Sequence, residues 1–104
     1  MWSQAMIYYI DIDNTICDSP TLDYCLATPI PERIAKINAL YDEGHEIVYW
    51  TARGSGTGIF WGILTERQLK EWGCKYHQLK FGKPLFDLLV DDRAMNPGEF
   101  FDGK

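Results

Sequence analysis

Apolar runs alternate with amphipathic stretches along this chain, and the main apolar runs stop on polar residues. Residues 6–12 and 45–50 are rich in Ile, Val, Tyr and Trp, the composition of buried strands. Residues 31–43 put Ile34, Ile37, Leu40 and Tyr41 on one helical face. Pro31 suits the first turn of that helix and Gly44 its end. The pattern predicts a second helix over 59–72 closed by Gly73, a short strand over 76–81, and a strand over 86–90 that ends on Asp91 and Asp92. Phe100 and Phe101 are expected to pack a short tail back on the domain. This order predicts one three-layer α/β domain over 1–104 with a mainly parallel sheet, residues 1–5 being an extension.

Right-handed crossovers put all C-terminal strand ends on one edge, where such sheets bind their ligands. The residues that follow the strands here are Asp11 and Asp13, Thr51 and Arg53, then Asp91 and Asp92. Asp11 and Asp13 are two apart, so in an extended chain they point the same way. Four ionised carboxylates at one rim need a cation. Mg²⁺ fits, because it takes hard oxygen ligands, waters and a substrate phosphate. Lys83 would offset further charge, and the glycine-rich stretch 51–58 could donate hydrogen bonds to phosphate oxygens. Together these residues predict phosphoryl transfer to a carboxylate nucleophile.

The remaining composition narrows the class. A net charge of −5 argues against a nucleic-acid surface. Cys17, Cys25 and Cys74 are odd in number and have no zinc-site spacing, so a reducing cytoplasm is expected. Cys17 reads as a small buried residue rather than a nucleophile. No apolar run is long enough to span a bilayer, and the N-terminus lacks the basic start of a signal peptide. His45 and His77 read as structural, and Trp61 and Trp72 as packing residues or an oligomer face. The glycines at 54, 56 and 58 match no Walker or dinucleotide motif and suggest a flexible loop.

Asp11-Ile12-Asp13-Asn14-Thr15 resembles the DxDxT motif of the haloacid dehalogenase (HAD) superfamily, and Thr51, Lys83 and Asp91-Asp92 resemble its second, third and fourth motifs, in order. The resemblance covers about residues 6–94 and implies a Rossmann-like phosphatase core without a cap domain. It implies that Asp11 is the nucleophile and a Mg²⁺ ligand. Asp13 would protonate the leaving oxygen, then activate water, and its backbone carbonyl would touch the metal. Thr51 and Lys83 would hold the phosphoryl group. Asp92 would be a direct metal ligand, with Asp91 behind it. Arg53 and Asn14 are the candidate substrate-binding residues, although Arg53 also reads as a structural ion-pair partner.

The run Trp50-Thr51-Ala52-Arg53-Gly54, with Thr65, Gln68-Leu69, Trp72-Gly73, Lys75-Tyr76-His77, Phe81-Gly82-Lys83-Pro84 and Val90-Asp91-Asp92, is similar to small stand-alone HAD proteins associated with capsule or lipopolysaccharide biosynthesis. That association suggests a sugar phosphate, a small-molecule phosphate ester, as substrate. The expected activity is a Mg²⁺-dependent, cytoplasmic phosphomonoesterase with an aspartyl-phosphate intermediate, and with no nucleic-acid or membrane partner. A phosphotransferase, a receiver-like phosphate-sensing switch and a degenerate binding module are the alternatives. Without a cap, enclosure of the site would fall to a large substrate or to a homo-oligomer.

Overall fold

The computed structural model describes residues 4–103. In chain order the elements are β1 (Ile7–Ile10), β2 (Cys17–Asp18), a 3-10 turn (Tyr24–Leu26), β3 (Thr28–Pro29), α1 (Pro31–Asp42), β4 (Glu46–Trp50), α2 (Gly62–Glu71), β5 (Gln78–Lys80) and α3 (Pro97–Asp102). β1, β4 and β5 form one parallel sheet in that order, with Tyr8 opposite Ile47 and Tyr49 opposite Leu79. The chain is a small α/β domain of Rossmann-like type. Between β1 and α1 the excursion is a small flap, in which β2 and β3 pair antiparallel. No helix among the described residues is long and apolar enough to cross a membrane. Of the expected extension, residues 1–3 lie outside the described residues, while Gln4 and Ala5 are exposed and belong to no element.

The alternation of the strands decides where the core sits. Ile10, Ile47 and Tyr49 face one side, and meet Ile34 and Ile37 of α1 and Leu69 of α2 in a single cluster. Each fully buried aliphatic side chain there contributes about 1.5–3 kcal/mol relative to exposure. Ile12 and Ile16 join the cluster from the turn after β1. The other face carries the Tyr9–Trp50 edge-to-face pair, with Lys80 Nζ 3.0 Å from the Tyr9 hydroxyl.

Both helices therefore cover the same face, and the expected third layer is not formed among the described residues. The sheet grows in one direction, β1 to β4 to β5, so two right-handed crossovers fall on the same side. A further strand on the outer edge of β1 would reverse that direction, but the strand expected over 86–90 does not form. Leu88 and Val90 are 78% and 87% exposed. The reason is chain length. Lys83 N–H donates to the Thr51 carbonyl at 3.2 Å, which fixes residue 83 at the C-terminal edge of the sheet. Returning along the four residues of β1 needs about 13 Å. The three steps from residue 83 to residue 86 span at most about 11 Å, and the chain must also move sideways past β1.

Helix ends follow their local chemistry. Pro31 opens α1, and Gly44 closes it with φ +97°, a left-handed conformation that costs glycine little. α2 starts at Gly62, three residues later than expected, because a turn holds the preceding residues. In it Gly58 N–H donates to the Gly54 carbonyl at 2.8 Å, and Ile59 N–H to the Thr57 hydroxyl at 3.2 Å. That stretch is a hydrogen-bonded turn. Gly54 has φ +84°, and a Cβ there would collide with the Ile59 carbonyl oxygen. Asn96 caps α3, and Phe100 and Phe101 pack against the core cluster as the sequence predicts.

Candidate functional site

The C-terminal edge of the sheet holds an open cleft of about 200 Å³ lined by Asp11, Asp13, Tyr24, Arg53 and Lys83, with Ala52 and residues 84–86. β1 ends at Ile10, and the chain then turns sharply: the N–H groups of Thr15 and Ile16 both donate to the Ile12 carbonyl, at 3.1 and 3.0 Å. This sends Ile12 and Ile16 into the core and leaves Asp11 and Asp13 in the cleft. Asn14 sits at the bend with φ +60°, a conformation asparagine tolerates. Its side-chain oxygen accepts the Ser19 N–H at 3.1 Å, so it serves the turn and is not among the lining residues.

Each carboxylate has its own cation. Lys83 Nζ lies 3.2 Å from one oxygen of Asp11, and the Thr15 hydroxyl donates to the other at 3.3 Å. Lys83 also approaches the rings of Trp50 and Phe86, at 5.7 and 5.6 Å. Asp13 is gripped by Arg53 through two parallel bonds, Nε at 2.9 Å and Nη2 at 2.8 Å. The fork geometry of guanidinium matches a carboxylate in this way, which makes the contact directional. Arg53 Nη1 donates to the Thr65 hydroxyl at 3.0 Å and to Gln68 Oε1 at 2.6 Å. The guanidinium also lies over the Tyr24 ring, 4.6 Å from its centre.

Arg53 is therefore a buried ion-pair partner, the structural one of its two expected readings. The neighbour of Asp13 is a cation rather than a second carboxylate. Ser19 adds a 2.5 Å hydroxyl bond to Asp13 Oδ1, and the Cys17 thiol lies 3.7 Å from the same oxygen. Burial pushes the Cys17 thiol above its ordinary value, with the Ser19 hydrogen bond opposing it, as befits a packed residue. Burial, and then the Asp13 carboxylate, also push the Tyr24 phenol up.

Thr51 is buried at the end of β4, where its hydroxyl accepts the Arg53 N–H at 3.1 Å. It braces the turn and is not among the lining residues. Asp91 and Asp92 are exposed and lie outside the cleft, since the strand that would carry them back does not form. Among the described residues no three His, Cys, Asp or Glu side chains gather as a metal site. The donor set that DxDxT implies for Mg²⁺ thus does not fit as folded: Asp11 and Asp13 are each matched by a cation, and the other two carboxylates stand apart. Both histidines are structural. His45 Nδ1 accepts the Met6 N–H at 3.0 Å, and His77 Nδ1 accepts the Ile47 N–H at 3.1 Å.

The sequence reading missed Tyr24 as a cleft residue. The signal was the long connection after the first strand, because long loops in small domains are often functional. Thr65 and Gln68 carried only the resemblance, and in the fold they hold Arg53.

A crystal structure of an MCSG target from Vibrio cholerae matches this fold with a TM-score of 0.82, at 27% sequence identity, over 91% of this chain and 86% of that one. No protein-family model and no curated protein matches the chain.

Proposed function

We propose that this chain is a phosphomonoester hydrolase of the HAD type, with Asp11 as its nucleophile. The observation that carries the reading is the Asp11 carboxylate itself. It stands in an open cleft, oriented by Thr15, with the Lys83 ammonium 3.2 Å away to meet the charge of an incoming phosphate. An Asp11 oxygen attacks phosphorus and the bond to the ester oxygen breaks, leaving an aspartyl-phosphate. Water then attacks that phosphorus, releasing inorganic phosphate and restoring the carboxylate. Protons pass to the leaving oxygen, and later from the water, through Asp13, once one of its oxygens leaves Arg53. These steps use the chain's own residues. The Mg²⁺ of the resemblance has no assembled donor set here to act from.

The grip of Arg53 on Asp13 favours a second reading. If Asp13 stays held, water is not activated and the phosphoryl group remains on Asp11, as in a phosphate-sensing switch. One experiment separates the two. With 4-nitrophenyl phosphate, a hydrolase releases nitrophenolate continuously, whereas a switch releases one equivalent and stops. Asp11→Asn is expected to abolish both signals and leave the circular dichroism spectrum unchanged. Near wild-type release from Asp11→Asn would end the proposal.

A further inference from the structure

Across Arg53 from the Asp11 cleft lies a second hollow, of about 260 Å³. Phe60, Trp61 and Phe81 contribute side chains to it, and Gly54, Gly58 and Gly82 contribute bare backbone. The Phe60 and Phe81 rings lie 6.4 Å apart, tilted by 43°. Phe60 is 77% exposed, a large apolar side chain left in water. Trp61 stands edge-on to Tyr24 at 5.0 Å, and Tyr24 lines the first cleft, so one aromatic wall runs from one hollow to the other.

Charge and hydrogen bonding limit what can sit there. Among the described residues the only charged one lining the hollow is Arg53, and Asp13, Thr65 and Gln68 already engage its guanidinium. The Ser55 hydroxyl donates to the Lys83 carbonyl at 2.8 Å. A polyhydroxylated group would lose hydrogen bonds to water and find few side-chain partners. A flat apolar ring would lose none, and it would gain stacking and burial.

The hollow is also placed for an ester substituent. Arg53 borders both spaces, and Gly82 directly precedes Lys83. With the phosphoryl group held at Asp11 and Lys83, the alcohol portion would run past Arg53, the residue the two hollows share, to reach the second one. We infer that this hollow is the subsite for an aromatic ring on the alcohol of the substrate, so that the preferred class is an arylalkyl or aryl phosphate monoester rather than a sugar phosphate. The inference rests on the phosphomonoesterase reading for its link to turnover. For the aryl members of that class it also agrees with the held Asp13, because a phenol-like leaving group needs less protonation than an alkyl one.

The test pairs binding with kinetics. Benzylphosphonate, which cannot be hydrolysed, is titrated against the ¹⁵N-labelled protein and compared with methylphosphonate. Benzylphosphonate is expected to shift the amide signals of Gly54, Gly58 and Gly82, with the shifts weakened about tenfold in affinity by Phe60→Ala and by Phe81→Ala. Methylphosphonate is expected to leave them in place. Benzyl phosphate and glucose 6-phosphate, both esters of primary alcohols, are then compared as substrates. A kcat/KM at least about tenfold higher for benzyl phosphate supports the ring subsite. Equal turnover of the two, or glycine shifts that are absent or shared by methylphosphonate, overturns it. If neither ester is turned over, the phosphomonoesterase reading falls, and the amide shifts still decide whether the hollow binds a ring.

Discussion

The two sides of the cleft rim are held in opposite ways. On the β1 and β4 side, Asp13 and Arg53 share two bonds, and Arg53 is backed by Thr65 and Gln68 of α2. Polar groups there are fixed by partners from distant parts of the chain. On the other side, Leu85, Leu88, Val90 and Met95 are each more than half exposed, and Asp91 and Asp92 follow the same path. Chemical type therefore does not decide order here. A buried arginine is rigid because its donors are matched, whereas an apolar run stays in water when the chain cannot carry it to a free edge.

That contrast predicts unequal costs. Arg53→Ala and Asp13→Ala are expected to be the most damaging for stability, by about 3–5 kcal/mol, since each leaves a charge without its partner. Arg53→Lys should recover only part of the loss, because an ammonium cannot reproduce the two-bond fork. Urea unfolding of the three variants measures this. A cost below about 1 kcal/mol for Asp13→Ala would mean that the pair is solvated and the ordered side is no firmer than the other.

Gly54→Ala comes next. It puts a side chain on a φ of +84° and against the Ile59 carbonyl, so the turn carrying Arg53 must shift. The expected cost is about 1–3 kcal/mol. Gly44→Ala is the control, because Gly44 has φ +97° but nothing within 4 Å of an added Cβ. It should cost less than Gly54→Ala in thermal unfolding. Equal costs would assign the whole effect to backbone strain and none to the Ile59 contact.

The core beneath the ordered side should also respond to alkali. Burial pushes the Cys74 thiol from its ordinary 9.0 up to about 11, and pushes the Tyr49 phenol further above its own ordinary value. The unfolded chain ionises these groups first. The Cys74 contribution is thus complete below about pH 9 and is lost as pH rises from there through about 11, while that of Tyr49 starts to fall near pH 10 and continues to fall above it. The buried Tyr49 hydroxyl has the Cys74 thiol beside it, so replacing both residues together strands neither polar group. A Tyr49→Phe, Cys74→Ala double variant should show a flatter decline of melting temperature between pH 8 and pH 11 than the wild type. An unchanged slope would place the alkaline sensitivity elsewhere.

Much of this was legible in the sequence, and the reasons are local. Ile34, Ile37 and Gly44 announced α1 through spacing and a left-handed end, and Asp11 and Asp13 announced the rim by following an apolar run. Arg53 stayed ambiguous because its partners lie in three separate segments, at Asp13, at Tyr24 and on α2. The expected strand over 86–90 failed for a reason that composition does not carry. Its residues have the right character, but strand formation depends on where residue 83 is fastened and how far the chain can reach from there.

The smallest expected effect bears most directly on that failure. Leu88→Asp and Val90→Asp alter side chains that are 78% and 87% exposed, so each should change stability by no more than about 0.5 kcal/mol. Backbone amides over 86–90 should exchange with solvent much faster than those of β4, which pairs on both sides. Matched urea titrations and hydrogen exchange on the same samples give both numbers. A loss of 2 kcal/mol or more, with slow exchange over 86–90, would mean that this run is buried in solution. To reach the open edge of β1 the chain would first have to release the bond from Lys83 N–H to the Thr51 carbonyl, since from there it is too short. Asp91 and Asp92 would move with it, the two sides of the rim would be held alike, and the four carboxylates would have to be reconsidered as one metal-binding group.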